Sequence, residues 1–184
     1  DTGFPRPDRT LVFDRYAAEY LQKAGNFPRS SLTVVGSPTR DALVSAIHKL
    51  SPEIIAATRA AIGASPNQQV VLVTTKYSEI QSEFQRLVNA VAALPNVYAV
   101  IKCHPTENPE PYETHTHGVT NIRVLPSNYD LSRLLALARL LVTVNSTVAF
   151  DAMSLGVPSL TLRLPNNLSP LVDSGAMVGL LRTD

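Results

Sequence analysis

Five short apolar runs, VVLVT (70–74), VYAVIKC (97–103), IRVL (122–125), LLVTV (140–144) and SLTL (159–162), alternate with segments of helical spacing. This alternation constrains the fold more than any other feature. Strands joined through helices run parallel and place helices on the faces of the sheet. The runs are nearly continuous in apolar residues, as strands covered on both faces are. The expectation is an α/β fold with a doubly wound parallel sheet.

The helical segments have their own signals. From Ser78 to Leu94, residues Ile80, Phe84, Leu87, Val88, Val91 and Leu94 fall on one stripe, so one amphipathic helix is expected there. Further helices are expected over 130–139, 147–155 and 169–175. The stretch HPTENPEPYETHTHG reads as a proline-rich loop. Upstream, the apolar runs 11–13 and 32–35 flank a helix over 14–24 that stops at Gly25. Two helices follow, over 39–50 and from Ser51-Pro52-Glu53, where proline suits a first turn. The segment DTGFPRPDRT reads as a linker. The domain boundary is expected near Pro66: residues 1–66 form a two-strand unit with its crossover helices, and residues 67–184 form a five-strand Rossmann-like unit.

Composition narrows the function. With 45% hydrophobic and 17% charged residues, the chain has material for a core and too little charge for disorder. A net charge of +1 gives no stripe for nucleic acid or an anionic membrane surface, so any basic function must be local. No apolar run is long enough to span a bilayer, and no export signal is visible, which points to a cytoplasmic location. The single cysteine, Cys103, excludes an intrachain disulfide. The sequence starts at Asp1 rather than methionine, and an N-terminal part is expected to have been removed.

In an open parallel sheet, ligands bind beyond the carboxyl ends of the strands. The loops there hold Gly36-Ser37, Thr75-Lys76, His104, Ser127-Asn128-Tyr129-Asp130, Asn145-Ser146-Thr147 and Arg163 to Asn167. They combine small hydroxyl and amide residues with cations, and the opposite edge does not. Asn145 or Ser146 can cap the helix that follows, and small residues there leave backbone amides open to an anion such as a diphosphate. Asp151 lies four residues after Thr147, on the same helical face, and suits sugar hydroxyls better than phosphate. A plain capped helix with a solvated aspartate fits the same spacing.

Lys76 can neutralise a phosphate as a point charge, or can be a surface lysine. His104 can donate to a phosphate oxygen, act as an acid or base, or cap a strand end. His115 and His117 alternate, but no carboxylate or thiolate at ligand spacing supports a metal site, and a solvated loop is the expectation. Cys103 reads as a small buried hydrophobe. GxGxxG, Walker and GxSxG patterns are all absent, so neither a simple dinucleotide fold nor a serine hydrolase is indicated.

The ordered stretches LTVVGSPTRDAL, VLVTTKYSE, IKCHPTENPEP and NIRVLPSNYDLSRLLALARLLVTVNSTVAFDAMSLGVPSLTLR resemble the carboxyl-terminal half of GT-B fold nucleotide-sugar enzymes. The nearest named groups are the UDP-N-acetylglucosamine 2-epimerases and the bacterial capsule polysaccharide or glycerol-phosphate transferases. The resemblance implies that Asn145, Ser146 and Thr147 hold phosphate, that Asp151 holds ribose, and that the base lies near Leu131. Gly36, Ser37 and Thr75 lie at the same rim of strand ends, and in the transferase reading Lys76, together with His104, helps the diphosphate depart without a metal or other cofactor. Epimerases place a histidine and arginines where this chain has TTKYSE, and an acidic–arginine pair where it has PNNLSP. These departures favour a glycosyltransferase of surface polysaccharide synthesis, using a nucleotide-sugar donor such as a UDP-sugar, over an epimerase. A non-catalytic binding or scaffold domain remains a third reading. The carbohydrate or lipid-linked acceptor would be held by an amino-terminal half of which residues 1–50 are the end, so this chain by itself is expected to be inactive. A homodimer is left open.

Overall fold

The computed structural model describes residues 5–180. Contacts divide the chain into two units, 1–42 and 43–184. The first four residues of the expected linker lie outside the described residues.

In the first unit, strand β1 (Thr10–Val12) pairs in parallel with β2 (Leu32–Val34), and helix α1 (Arg15–Gly25) connects them. Asp14 starts the helix by accepting a 2.7 Å hydrogen bond from the Ala17 amide. The helix ends one residue later than expected. Gly25 is its last residue, and Asn26 takes the left-handed conformation (φ 51°), which asparagine tolerates. Helix α2 (Pro38–His48) begins in this unit, where the Ser37 hydroxyl accepts from the Arg40 amide at 3.3 Å.

The second unit contains a six-stranded, all-parallel sheet. Its strands are β3 (Gln69–Thr74), β4 (Val97–Lys102), β5 (Ile122–Leu125), β6 (Ala138–Thr143), β7 (Ser159–Leu162) and β8 (Val178–Leu180), in the order β5-β4-β3-β6-β7-β8. The chain begins at β3, builds outward through β4 and β5, then returns to the other side of β3. Counted within the unit, this is the 3-2-1-4-5-6 order of doubly wound dinucleotide folds. The reversal lies between β3 and β6.

Alternate residues of each strand enter opposite cores. Leu72, Val100 and Leu141 face one, with α3 (Pro52–Ile62), α7 (Leu131–Leu137) and α8 (Val148–Ser154). Val73, Ile101 and Val142 face the other, with α4 (Tyr77–Ile80), α5 (Phe84–Ala92) and α6 (Glu110–Thr116). Because α3 buries Thr58 and Ile62 and packs on α7, it belongs with the second unit. Pro66 marks the start of the regular strand–helix alternation, and the contact boundary falls earlier, after Ala42.

Three expectations are corrected. The single helix over 78–94 is two helices, α4 and α5, separated by a turn at 81–83. The Arg163 guanidinium donates to the Glu79 carbonyl, and the Glu83 amide bonds to Ile80 O (3.0 Å) instead of continuing the helix. The proline-rich loop contains α6: Pro109 and Pro111 sit at the start of the helix, where proline is tolerated, and Glu110 and Glu113 occupy its first turn. The five-strand sheet has a sixth member, β8, whose VGL sequence is too short to announce itself. A Cβ on its Gly179 would come within 3.0 Å of Val172, so the edge strand packs closely on α9 (Ser169–Asp173).

Two junctions fix the sheet. The buried Asn121 side-chain amide spans the carbonyls of Val91 (2.8 Å), Leu94 (3.2 Å) and Val97 (3.1 Å), joining the end of α5 to the start of β4. Helix α7 runs directly into β6 with no loop between Leu137 and Ala138. Pairing with β3 skips Arg139, since Val70 faces Ala138 while Val71 faces Leu140.

Candidate functional site

The carboxyl ends of β3, β4 and β6 surround a cleft of about 430 Å³, beside the point where the strand order reverses. It is lined by Thr74, Thr75 and Lys76 after β3; by Lys102, Cys103, His104 and Pro105 at the end of β4; by Leu131 at the start of α7; and by Asn145 to Val148 after β6, with Glu79 and Asn167 completing it.

Threonines hold the strand ends. Thr74, Thr143 and Thr161 occupy matching positions on β3, β6 and β7. Thr143 Oγ1 donates to Thr74 O (2.6 Å) and lies 3.4 Å from the Ser146 amide, while Thr161 Oγ1 donates to Val144 O (2.9 Å). The Thr74 hydroxyl is buried without a partner. The turn after β6 is further fixed by its own side chains. Ser146 Oγ accepts from the Val148 amide (3.2 Å), the first of α8, but the N-cap position is Thr147, which makes no side-chain capping bond. Asn145 does not cap that helix; its Oδ1 accepts from the Asn167 amide (3.1 Å) and ties the turn to the loop after β7. Asn166 anchors that loop by donating to Thr161 Oγ1 and Leu162 O, both at 2.9 Å.

The cationic groups come from two neighbouring strands. Lys76 is half-buried at the end of β3. Lys102 donates to Ser127 O (2.6 Å), and burial lowers its ammonium below the usual lysine range, with the neighbouring Cys103 opposing. His104 Nδ1 lies 3.3 Å from the Thr106 amide and 2.8 Å from Thr106 Oγ1. An amide can only donate, so Nδ1 is the acceptor and the neutral ring carries its proton on Nε2. That nitrogen is a ready donor to an anion.

Cys103 is buried (1% exposed), and burial, with Glu107 and Glu113 nearby, pushes its thiol up. This matches the inert reading. His115 belongs to α6 rather than to a solvated loop: its ring packs on Tyr77 and Phe84 at centroid distances of 5.7 Å, and Nδ1 donates to Pro111 O (2.8 Å). His117 is exposed. Among the described residues no group of three or more His, Cys, Asp or Glu side chains is placed to hold a metal ion.

The structure therefore brings together Thr75, Lys76, His104, Leu131, Asn145, Ser146 and Thr147. Asp151 does not line the cleft, which reaches only Val148, the first residue of the seven-residue α8; Asp151 lies three residues further along in that first turn, half-buried. Gly36 (φ 75°) and Ser37 belong to the first unit, where they lead into α2. Sequence reasoning missed Lys102 and Glu79. Lys102 was concealed inside an apolar strand, although its place two residues before His104 marks the strand end. Glu79 was absorbed into the polar face of the expected long helix, although it follows Lys76 by three residues.

No family profile and no curated protein sequence matches the chain. Solved structures do. The UDP-GlcNAc 2-epimerase of Neisseria meningitidis, bound to UDP-GlcNAc, superimposes with a TM-score of 0.73 at 21% identity over 96% of this chain and 49% of that one. Another UDP-N-acetylglucosamine 2-epimerase gives 0.67 at 22% identity, over 94% of this chain and 45% of that one. The wall teichoic acid polymerase TagF, soaked with CDPG, gives 0.61 at 18% identity, over 92% and 40%. The chain spans about half the length of these proteins or less. Its fold is the Rossmann-like half of a GT-B architecture.

Proposed function

We propose that the cleft binds the diphosphate of an activated nucleotide-sugar donor, and that the chain is the donor-binding part of a glycosyltransferase of surface polysaccharide synthesis. The observation that carries this reading is convergence. Lys76 from β3, His104 from β4 and the Asn145-Ser146-Thr147 turn from β6 line one cleft at the reversal of strand order. One such loop could be polar by chance; three that meet at this point suit a polyanion.

The chemistry asked of the site is electrostatic. An acceptor hydroxyl attacks the anomeric carbon and gives its proton to a base in the half that holds the acceptor, the bond from that carbon to the diphosphate oxygen breaks, and the departing diphosphate gains negative charge. Lys76 supplies a point charge and His104 an Nε2–H donor to that charge, with the Ser146 and Thr147 hydroxyls as further donors. This would need no metal ion or other cofactor. Leu131 offers an apolar contact for the base, and Glu79 is the cleft carboxylate suited to accept from sugar hydroxyls. Asp151, expected at the ribose, would need the ligand to reach beyond Val148 along the first turn of α8. The acceptor, carbohydrate or lipid-linked, would be held by a further half such as the relatives' greater length affords. Among the described residues no helix is long and apolar enough to cross a membrane, and we place the reaction in the cytoplasm.

Epimerase chemistry is the second reading, favoured by the fit to an epimerase bound to UDP-GlcNAc. Titration calorimetry with UDP, CDP and GDP tests the site: binding to one of them, reduced about tenfold or more in Lys76→Ala and Ser146→Ala, is expected. Incubating the protein with UDP-GlcNAc separates the two enzymes. A 2-epimerised product formed without acceptor decides for the epimerase. Binding of none of the nucleotides would leave a scaffold domain.

A further inference from the structure

The two loops that carry Lys76 and His104 are joined by one carboxylate. Glu107 Oε1 accepts from the Tyr77 backbone amide at 2.6 Å, next in sequence to Lys76. Its Oε2 accepts from the Tyr112 hydroxyl at 2.9 Å, and that hydroxyl also lies 3.0 Å from the Thr75 carbonyl. The Glu107 amide in turn donates to the His104 carbonyl at 3.0 Å. The residues either side of Lys76 are thus tethered to the turn that begins at His104. Tyr112 is fully buried, with its ring edge-on to Tyr77 and Phe84 at centroid distances of 5.3 Å, so the hydroxyl is held from behind by packing.

We infer that Glu107 is a positioning residue, a clasp that holds Lys76 and His104 at one spacing so that both reach the same diphosphate; the inference rests on the donor-site reading above. A carboxylate beside a site for anions repels the ligand and is a costly choice unless its charge is occupied. Here two donors occupy it, one on each oxygen. Neither donor can be lost to pH in the neutral range. The amide does not titrate, and burial, reinforced by the Glu107 hydrogen bond and charge, raises the Tyr112 hydroxyl far above the usual phenol range. A lysine and a histidine on separate flexible loops would each have to be ordered when the ligand arrives, and prior ordering removes that cost.

The test measures inorganic diphosphate and UDP, CDP and GDP by titration calorimetry against the wild type, Glu107→Ala, Glu107→Gln and Tyr112→Phe, with thermal melts to confirm folding. Glutamine can still accept from the Tyr77 amide and bond to the Tyr112 hydroxyl, so it should retain diphosphate affinity within about threefold. Alanine releases both loops and should lose tenfold or more. Tyr112→Phe removes one side of the clasp, should fall between them, and serves if alanine does not fold. Amide exchange at Tyr77 should quicken in Glu107→Ala and not in Glu107→Gln. Equal affinity in wild type, Glu107→Ala and Tyr112→Phe overturns the clasp and leaves the donor site standing. Equal losses in Glu107→Gln and Glu107→Ala also overturn it, since charge rather than spacing would then be at work. A wild type that binds none of the four probes overturns the donor site, and the clasp with it.

Discussion

The two units apply the same local rules with opposite results for burial. In the first, β1 and β2 make a sheet of two strands, and Leu11 and Val34 are exposed by 66 and 48%. In the second, strand residues of the same chemistry, Leu72, Val100 and Leu141, are exposed by 0%. Both units begin a helix in the same way: Asp14 accepts from the Ala17 amide, and Asp130 accepts from the Ser132 amide (2.9 Å) and the Arg133 amide (3.4 Å). Local chemistry therefore makes a strand–helix–strand unit in either place. Only a sheet with helices on both faces turns its apolar strands into a core.

That contrast can be broken most readily at the strands. Leu141→Ala should cost about 2–5 kcal/mol in urea unfolding, because it leaves a cavity at a fully buried position. Leu11→Ala should stay within about 0.5 kcal/mol. Equal costs would mean that the first unit is buried in solution. Asn121→Ala should cost about 1–3 kcal/mol in the same assay, since the carbonyls of Val91, Leu94 and Val97 lose the side-chain amide that ties them together, and the bond to Val91 O is buried. The caps sharpen the comparison further. Asp130→Ala should lower stability by about 1 kcal/mol, whereas Asp14→Ala, worth a similar amount to its own helix, should appear chiefly as faster amide exchange within α1. The Ser132 hydroxyl and the amides beside Asp130 hold its carboxyl below the usual aspartate range. Its contribution is thus complete above that range and is lost as acid carries the pH below it; an Asp130→Asn variant should show a shallower loss of stability there. The smallest effect is expected at the exposed Lys23–Glu19 pair (3.6 Å), where Glu19→Gln should change stability by less than about 0.5 kcal/mol.

Much of this was legible in the residues. Strands β5 and β7 lie where IRVL and SLTL place them, because short, mostly β-prone runs between helical segments have few alternatives in an alternating pattern. Ser51 and Asp14 mark helix starts through side chains that bond their own turns, a purely local signal. What was hidden depends on distant partners. The break between α4 and α5 follows from Arg163, 84 residues away from the carbonyl it takes. The role of Asn145 depends on Asn167, and that of Thr143 on Thr74, 69 residues earlier. At the site, Lys76, His104 and the Asn145-Ser146-Thr147 turn were found because strand ends can be read from pattern. Lys102 and Glu79 were missed because polarity inside a strand or a helix face is not by itself a signal. Asp151 was placed by helical spacing alone, and spacing does not say how far along a helix a cleft extends.

The junction between α7 and β6 leaves no slack in the chain. With no residue between Leu137 and Ala138, and with Arg139 already set aside by the pairing, one added or deleted residue there would have to be accommodated inside the strand. A shift of one position exchanges the two faces of a strand, sending Leu141 and Val142 to each other's cores and rotating the turn at Asn145 away from the cleft. The exposed turn at 117–118, by contrast, lies ahead of the Asn121 junction and can absorb length without touching that strand. An engineer inserting a tag or a reporter should choose the second place, and a natural variant with an insertion at the first should have lost whatever the cleft does.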